Sequence, residues 1–171
     1  MRIWMVLVMA SLLSATGVRL VHAQSATDAG TVVVSLVSRA ASIESAPDAE
    51  GALLSLVNQI RRQHKLPPVM MDSTLRAAAR AHSRDMAKQG FVGHGSVGGR
   101  SFADRIANYV GSGTFVGENV TLAGTVEQAH SAFIASPGHL RNILEPKFRR
   151  VGIGIVNAGE LGLFVTQDFA D

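Results

Sequence analysis

The stretch "RVGIGIVNAGELGLFVTQDFA", residues 150–170, decides the fold class of this 171-residue chain. Its two apolar parts, "RVGIGIV" (150–156) and "GLFVTQDFA" (162–170), have the composition and alternation that are typical of strands. The intervening "NAGE" contains the residues that a chain reversal needs. The pattern predicts an antiparallel hairpin, and "GENVTL" at 117–122 predicts a third strand.

Helices are predicted before and between these strands, from apolar residues at helical spacing and from signals for helix ends. They run from Glu50 to the Pro67-Pro68 stop, between Asp72 and Gly90, after Ser101, after Thr125 with Gln128 as a capping-box partner, and after Ser136 and Pro137. Helices that cover a small, mainly antiparallel sheet define an α+β fold rather than a doubly wound one.

The first 23 residues have the features of a secretory signal peptide. Arg2 precedes an apolar run that is too short to span a bilayer, and "VHA" before Gln24 offers a cleavage site. An uncleaved anchor is the alternative. We therefore expect three parts: a signal peptide at 1–23, a linker or poorly ordered N-terminal segment at 24–49, and a domain at 50–171. A secreted or periplasmic product follows from this division.

Composition narrows the classes of partner. Cleavage after Ala23 would remove two of the 16 Lys and Arg residues, leaving 14 against 13 Asp and Glu. The nearly neutral product has no basic run, so nucleic acid is not an expected partner. There is no cysteine, which excludes disulfides and thiolate chemistry. We expect a monomer that has no membrane span after signal cleavage.

Three polar residues lie in glycine-rich surroundings: His94 in "FVGHGS", Glu118 in "VGENV" and His139 in "SPGHL". Two imidazoles and a carboxylate are the donor set of a zinc site that keeps one position for water. Their spacing matches no short metal motif, so separate structural roles stay open. The helix dipole should keep His139 neutral in the first turn of its helix. His82 and His130 are interpreted as structural residues of helix faces.

Several blocks, in order and at family spacing, resemble the CAP superfamily, which has the SCP-like extracellular domain of cysteine-rich secretory proteins, antigen 5 and pathogenesis-related proteins. The similarity covers about residues 50–171 and indicates the cysteine-free bacterial branch. The blocks are "LVNQIRRQHKLPPV", "AHSRDMAKQGFVGHGS", "SFADRI", "GENV", "SPGHLRNIL", "RRVGIGIV" and "FVTQDFA".

The resemblance implies an α-β-α sandwich whose central cleft holds two histidines and two acidic residues. His94, Glu118 and His139 fall on three of these four positions, while the fourth falls at or near Ser136. Phe133 stands where the family usually has tryptophan. The lost carboxylate weakens any mechanism that requires two acidic groups.

Three functions are weighed, and the sequence leaves open whether the protein is an enzyme. The first is a noncatalytic module that binds an envelope, lipid or peptide ligand, with or without a divalent cation such as zinc. The second is a metal-dependent hydrolase of peptide or cell-wall substrates, in which Glu118 is a metal ligand or the general base, and Gln167 or Asp168 approaches the cleft. The third, a metal-free hydrolase that uses Ser96 or Ser136, lacks a nucleophile-elbow motif.

Overall fold

The computed structural model describes residues 32–33, 43–96, 98–111 and 113–171. The helices are α1 (Pro47–Gln63), α2 (Ser73–Gln89), α3 (Phe102–Val110), α4 (Val126–Ala135) and α5 (Pro137–Leu144). The strands are β1 (Val32–Val33), β2 (Glu44–Ser45), β3 (Met70–Met71), β4 (Phe91–Val92), β5 (Val116–Ala123), β6 (Arg150–Asn157) and β7 (Leu163–Ala170). None of the helices in these ranges has the length and apolar character needed to cross a membrane. The predicted signal peptide lies outside the described residues.

The central sheet is built on the hairpin of β6 and β7. The two strands pair antiparallel along their whole length and are joined through a 3₁₀ turn at Gly159–Leu161. β5 pairs antiparallel with β7 and is the edge strand, whereas β2 and β3 pair with β6 on the other side. The predicted hairpin and third strand are therefore confirmed. β1 and β4 form a separate two-stranded ribbon.

Helices cover both faces of this sheet, which gives the expected α-β-α sandwich and confirms the α+β class. α2 packs along β6 and β7 on one face, with α3 beside it. α1, α4 and α5 pack on the opposite face. Successive strand residues point to opposite faces of the sheet. The odd-numbered residues of β6 therefore face the layer of α1, α4 and α5, and they include the buried Val151, Ile153 and Ile155.

The predicted ends of α2 and the predicted start of α3 are confirmed by their local hydrogen bonds. Asp72 caps α2 by accepting from two backbone N–H groups, and Gly90 ends that helix with φ of 68°. Ser101 and Asp104 form a reciprocal capping box at the start of α3. These ends depend on side chains within a few residues, so the sequence is sufficient to predict them.

Two predicted caps differ from the structure. The Thr125 hydroxyl accepts from the Gln128 N–H at 3.2 Å, but the Gln128 side chain accepts from the Gly124 N–H at 3.0 Å. The predicted capping box is thus only half formed. Ser136 makes no side-chain cap, and the fixed φ of Pro137 starts α5 instead.

The folded core begins before the expected domain boundary at residue 50. α1 starts at Pro47, the Ala46 N–H donates to the Ile155 carbonyl at 3.0 Å, and Glu44–Ser45 pairs with β6. A two-residue strand is too short to show periodicity, so the sequence gives no sign of it. Part of the segment expected as a linker therefore belongs to the sheet, while residues 24–31 and 34–42 lie outside the described residues.

Candidate functional site

The candidate site straddles the edge strand β5. Glu118 and Asn119 are consecutive, so their side chains point to opposite faces of the sheet. Glu118 bonds to Arg105 of the α2–α3 layer at 2.7 Å. The Asn119 amide donates to the backbone carbonyl of His139, in the first turn of α5, at 3.1 Å. The edge strand thus contacts both helical layers at adjacent residues.

Glu118 is the centre of the first group of contacts. His94 Nδ1 lies 2.9 Å from Glu118 Oε1, and Arg105 Nη2 donates to Oε2 at 2.7 Å. The same Arg105 nitrogen donates to the His94 carbonyl at 3.0 Å. Burial by itself raises the pKa of Glu118, but the His94 hydrogen bond and the Arg105 charge hold that pKa below its ordinary value. Glu118 is therefore a buried carboxylate with both oxygens engaged.

His139 lies on the other side of the edge strand. Its ring is half-buried and packs edge-on against Phe133, with 5.3 Å between ring centroids. Burial, followed by the His94 charge, lowers the pKa of His139. The lowered pKa favours the neutral ring that the sequence predicts, and burial is its largest cause. The His94 side chain is 51% exposed, so its ring presents a free edge to solvent.

The three predicted ligands do not form a metal site as the structure places them. His94 and Glu118 are in contact, but within the described part of the chain no three His, Asp or Glu side chains are arranged to hold a metal ion. The Arg105 guanidinium on Glu118 would also repel a cation bound there. The donor set of His94, Glu118 and His139 therefore does not fit zinc in this arrangement.

Arg105 is a site residue beyond the three that the motifs indicate. It lies in α3 beside the buried Ile106, is 7% exposed, and stacks on the Phe102 ring at 5.6 Å from the ring centroid. An arginine on the inner face of a short amphipathic helix is the signal that could have identified it. His82, interpreted as a core residue, is 1% exposed and its Nε2 bonds to the Gly93 carbonyl at 2.8 Å.

Asp168 and Gln167, the two polar residues suggested on the final strand, face opposite helical layers. Asp168 is directly opposite Glu118 in the β5–β7 register and is fully buried. Burial and the adjacent Glu118 charge raise the pKa of Asp168 well above its usual value, which favours the protonated acid over the carboxylate. Gln167 faces the other layer, where it accepts from the Asn119 amide at 3.0 Å.

We expect Asp168→Asn to stabilise the protein at neutral pH. The folded state keeps the Asp168 proton where the unfolded chain has lost it, so this group's contribution is present below about pH 3.9 and is lost as pH rises through the folded pKa. Asparagine resembles the neutral acid and does not titrate. The stability gain should grow by up to about 1.4 kcal/mol per pH unit above pH 4.

Urea unfolding of both proteins at a series of pH values between about 4 and 8 measures this gain. The exposed Asp171→Asn, which makes the same change outside the site, is the matched control. A stability difference for Asp168→Asn that is constant with pH would mean that Asp168 is ionised in the folded protein.

The fold and the comparisons with known proteins define the class of protein. The chain belongs to the CAP family, the cysteine-rich secretory protein family, whose model matches residues 54–169. It is 34% identical over 121 residues to the uncharacterized protein YkwD of Bacillus subtilis. That alignment covers 70% of this chain and 46% of YkwD, so the chain spans less than half the length of this relative.

Two solved structures show the same fold. One is an extracellular protein containing an SCP domain from Bacillus anthracis, with a TM-score of 0.64 and 26% identity, which covers 72% of this chain and 40% of that one. The other is an outer surface protein of Borrelia burgdorferi, with a TM-score of 0.69 and 16% identity, which covers 75% of this chain and 98% of that one. The second likeness concerns the fold alone.

Proposed function

We propose that this protein is a secreted or periplasmic, noncatalytic module that binds an envelope, lipid or peptide ligand in the cleft at β5. The observation that carries the proposal is that both oxygens of Glu118 are already bonded, one to His94 and one to Arg105. A carboxylate used in this way orients its neighbours and is not available as a base. The extracellular description of the Bacillus anthracis protein supports the proposed location.

The ligand group is a hydroxyl or an amide. A neutral imidazole offers one donor and one acceptor, which complements such groups better than it complements a charge. His139 has a lowered pKa and is half-buried, while His94 is fixed by Glu118 and exposes half of its side chain. The two histidines therefore present polar ring atoms that complement the ligand group, from opposite sides of the edge strand.

Co-sedimentation tests this function. The mature chain is mixed in parallel with purified cell-wall sacculi, with vesicles of anionic phospholipid and with an immobilised peptide mixture. We expect saturable binding to one of the three, weakened about tenfold or more by His94→Ala and by His139→Ala. The exposed His64→Ala is the matched control and should bind like the wild type. Absence of binding in all three arms, or equal binding by the cleft variants, would contradict the proposal.

A metal-dependent hydrolase is the second candidate, and it requires a rearrangement of the cleft. His139 and Glu118 would have to converge on one ion, and Arg105 would have to leave Glu118 Oε2. The metal-free alternative has less support, because the histidine side-chain hydrogen bonds among the described residues go to Gly93 and Glu118 and not to Ser96 or Ser136. A zinc titration tests the metal-dependent hydrolase, because that function needs a tight site for the ion, whereas the binding module works with or without a cation.

A further inference from the structure

A cavity of about 460 Å³ lies between α2 and α3, under the loop that contains Ser96, Gly98 and Arg100. Its volume is within the range of small-molecule sites. Buried His82 and Arg105 line it together with Asp85, Arg100 and Tyr109, which are half-buried or exposed. Arg105 connects this cavity to the cleft, because its Nη2 holds Glu118.

Arg105 has unused hydrogen-bonding capacity. Its Nε and Nη1 are buried and have no hydrogen-bond acceptor among the described residues. Buried donors without acceptors are unfavourable, and a bound group is one way to satisfy them. Arg105 lines the cavity, so a small turn of its guanidinium towards the cavity would let an anionic group bound there supply the missing acceptor.

The lining carries charges of both signs. Arg100 and Arg105 are cationic, Asp85 is anionic, and burial lowers the pKa of His82, so that this ring adds no charge. A simple anion would be repelled by Asp85, and a simple cation would be repelled by the two arginines. A ligand that carries one positive and one negative charge pairs with Asp85 and with the two arginines at the same time.

Small and neutral polar side chains complete the cavity. Ala78 and Ala81, on the α2 surface that faces α3, leave room for a ligand. Gln89 and Asn108 supply amides that both donate and accept hydrogen bonds, and the Tyr109 ring supplies an apolar surface. The amides and the aromatic surface suit a ligand that has a peptide group between its charged ends.

We propose that this cavity binds a small zwitterionic ligand, of the class of amino acids and dipeptides, with its carboxylate at Arg100 and Arg105 and its ammonium at Asp85. Neither cleft histidine lines this cavity, although Arg105 takes part in both sites. The proposal therefore does not require the function proposed for His94 and His139.

Titration of the mature chain with alanyl-alanine, followed by amide chemical shifts in NMR spectra, tests the proposal. We expect saturable shifts at Asp85, Asn108 and Tyr109, with a dissociation constant of about 1 mM or tighter. Acetate and ethylamine, which each carry one of the two charges, should bind about tenfold more weakly. No saturation by the dipeptide up to about 10 mM, or equal binding of acetate, would overturn the proposal.

Two variants with matched controls test the assigned contacts. Asp85→Asn should remove the preference for alanyl-alanine over acetate, and Arg100→Gln should weaken both ligands. The controls are Glu160→Gln and Arg62→Gln, which make the same charge changes at exposed positions that do not line the cavity. If the cavity variants behave like their controls, the assigned contacts are wrong.

The cleft variant His139→Ala separates this proposal from the preceding one. We expect it to bind alanyl-alanine as the wild type does, whatever its effect on envelope, lipid or peptide binding. A loss of dipeptide binding in a folded His139→Ala protein would place the ligand in the cleft and overturn a separate site.

Discussion

Gly154→Ala and Gly152→Ala should each destabilise the protein by about 3 kcal/mol or more, out of a total of about 5–15 kcal/mol for a domain of this size. A Cβ atom at Gly152 would overlap the backbone of Leu75, and one at Gly154 would overlap the backbone of Ala79. Both obstacles belong to the backbone of α2, so no side-chain rotation relieves them. The helix would have to move away from β6 and uncover the core on that face.

Urea unfolding monitored by circular dichroism measures the effect. Gly51→Ala is the matched control, because it lies in α1 and a Cβ atom there meets nothing within 4 Å. That substitution should be neutral or stabilising, by up to about 1 kcal/mol, since alanine is the better helix former. Tolerance of alanine at both Gly152 and Gly154 would show that α2 does not lie as close to β6 as described.

Arg61→Met should cost about 3–5 kcal/mol, because it leaves four carbonyls, two of them in buried contacts, without this donor. Arg61 is fully buried in α1. Its guanidinium donates to the carbonyls of Pro67 at 2.8 Å, Ile143 at 2.7 Å, Glu145 at 3.1 Å and Phe148 at 3.1 Å. Two of these acceptors lie at the end of α5, so the same contacts fix the helix that carries His139.

The exposed neighbour Arg62→Met is the control and should change stability by no more than about 0.5 kcal/mol. Hydrogen exchange adds a local measurement, since in Arg61→Met the amides of α5 should lose more protection than those of α2. Arg61→Lys should be intermediate, because one ammonium cannot reach all of these carbonyls at once. Equal stability of the Arg61 and Arg62 variants would mean that the buried arginine contributes nothing to holding α5.

The sequence predicts those features whose causes are local. The alternation at 150–156 predicts β6, and Asp72 and Gly90 predict both ends of α2, because strand periodicity and helix caps act over a few residues. The role of the glycines in β6 does not have a local cause. The pattern around Gly152 indicates only a strand, and it is the packing of α2 on the sheet that shows that no side chain fits there.

The candidate site also has some features with local causes and others that depend on the fold. His94, Glu118 and His139 are identifiable from motifs, but their mutual geometry depends on strand register and on both helical layers. The pairing of Asp168 with Glu118 is set by the β5–β7 register. Arg105 reaches Glu118 from an independent helix, and no local signal in the sequence predicts that contact. Without it, the carboxylate resembles a free metal ligand.

A calorimetric titration of the protein with zinc at pH 7 tests most directly whether Glu118 holds His94 and Arg105 and does not bind a metal. We expect no 1:1 site tighter than about 1 μM, and any weak binding by surface histidines should be unchanged in Glu118→Gln. A tight 1:1 site that is lost in both Glu118→Gln and His139→Ala would contradict the claim, because it would place all three predicted ligands around one ion.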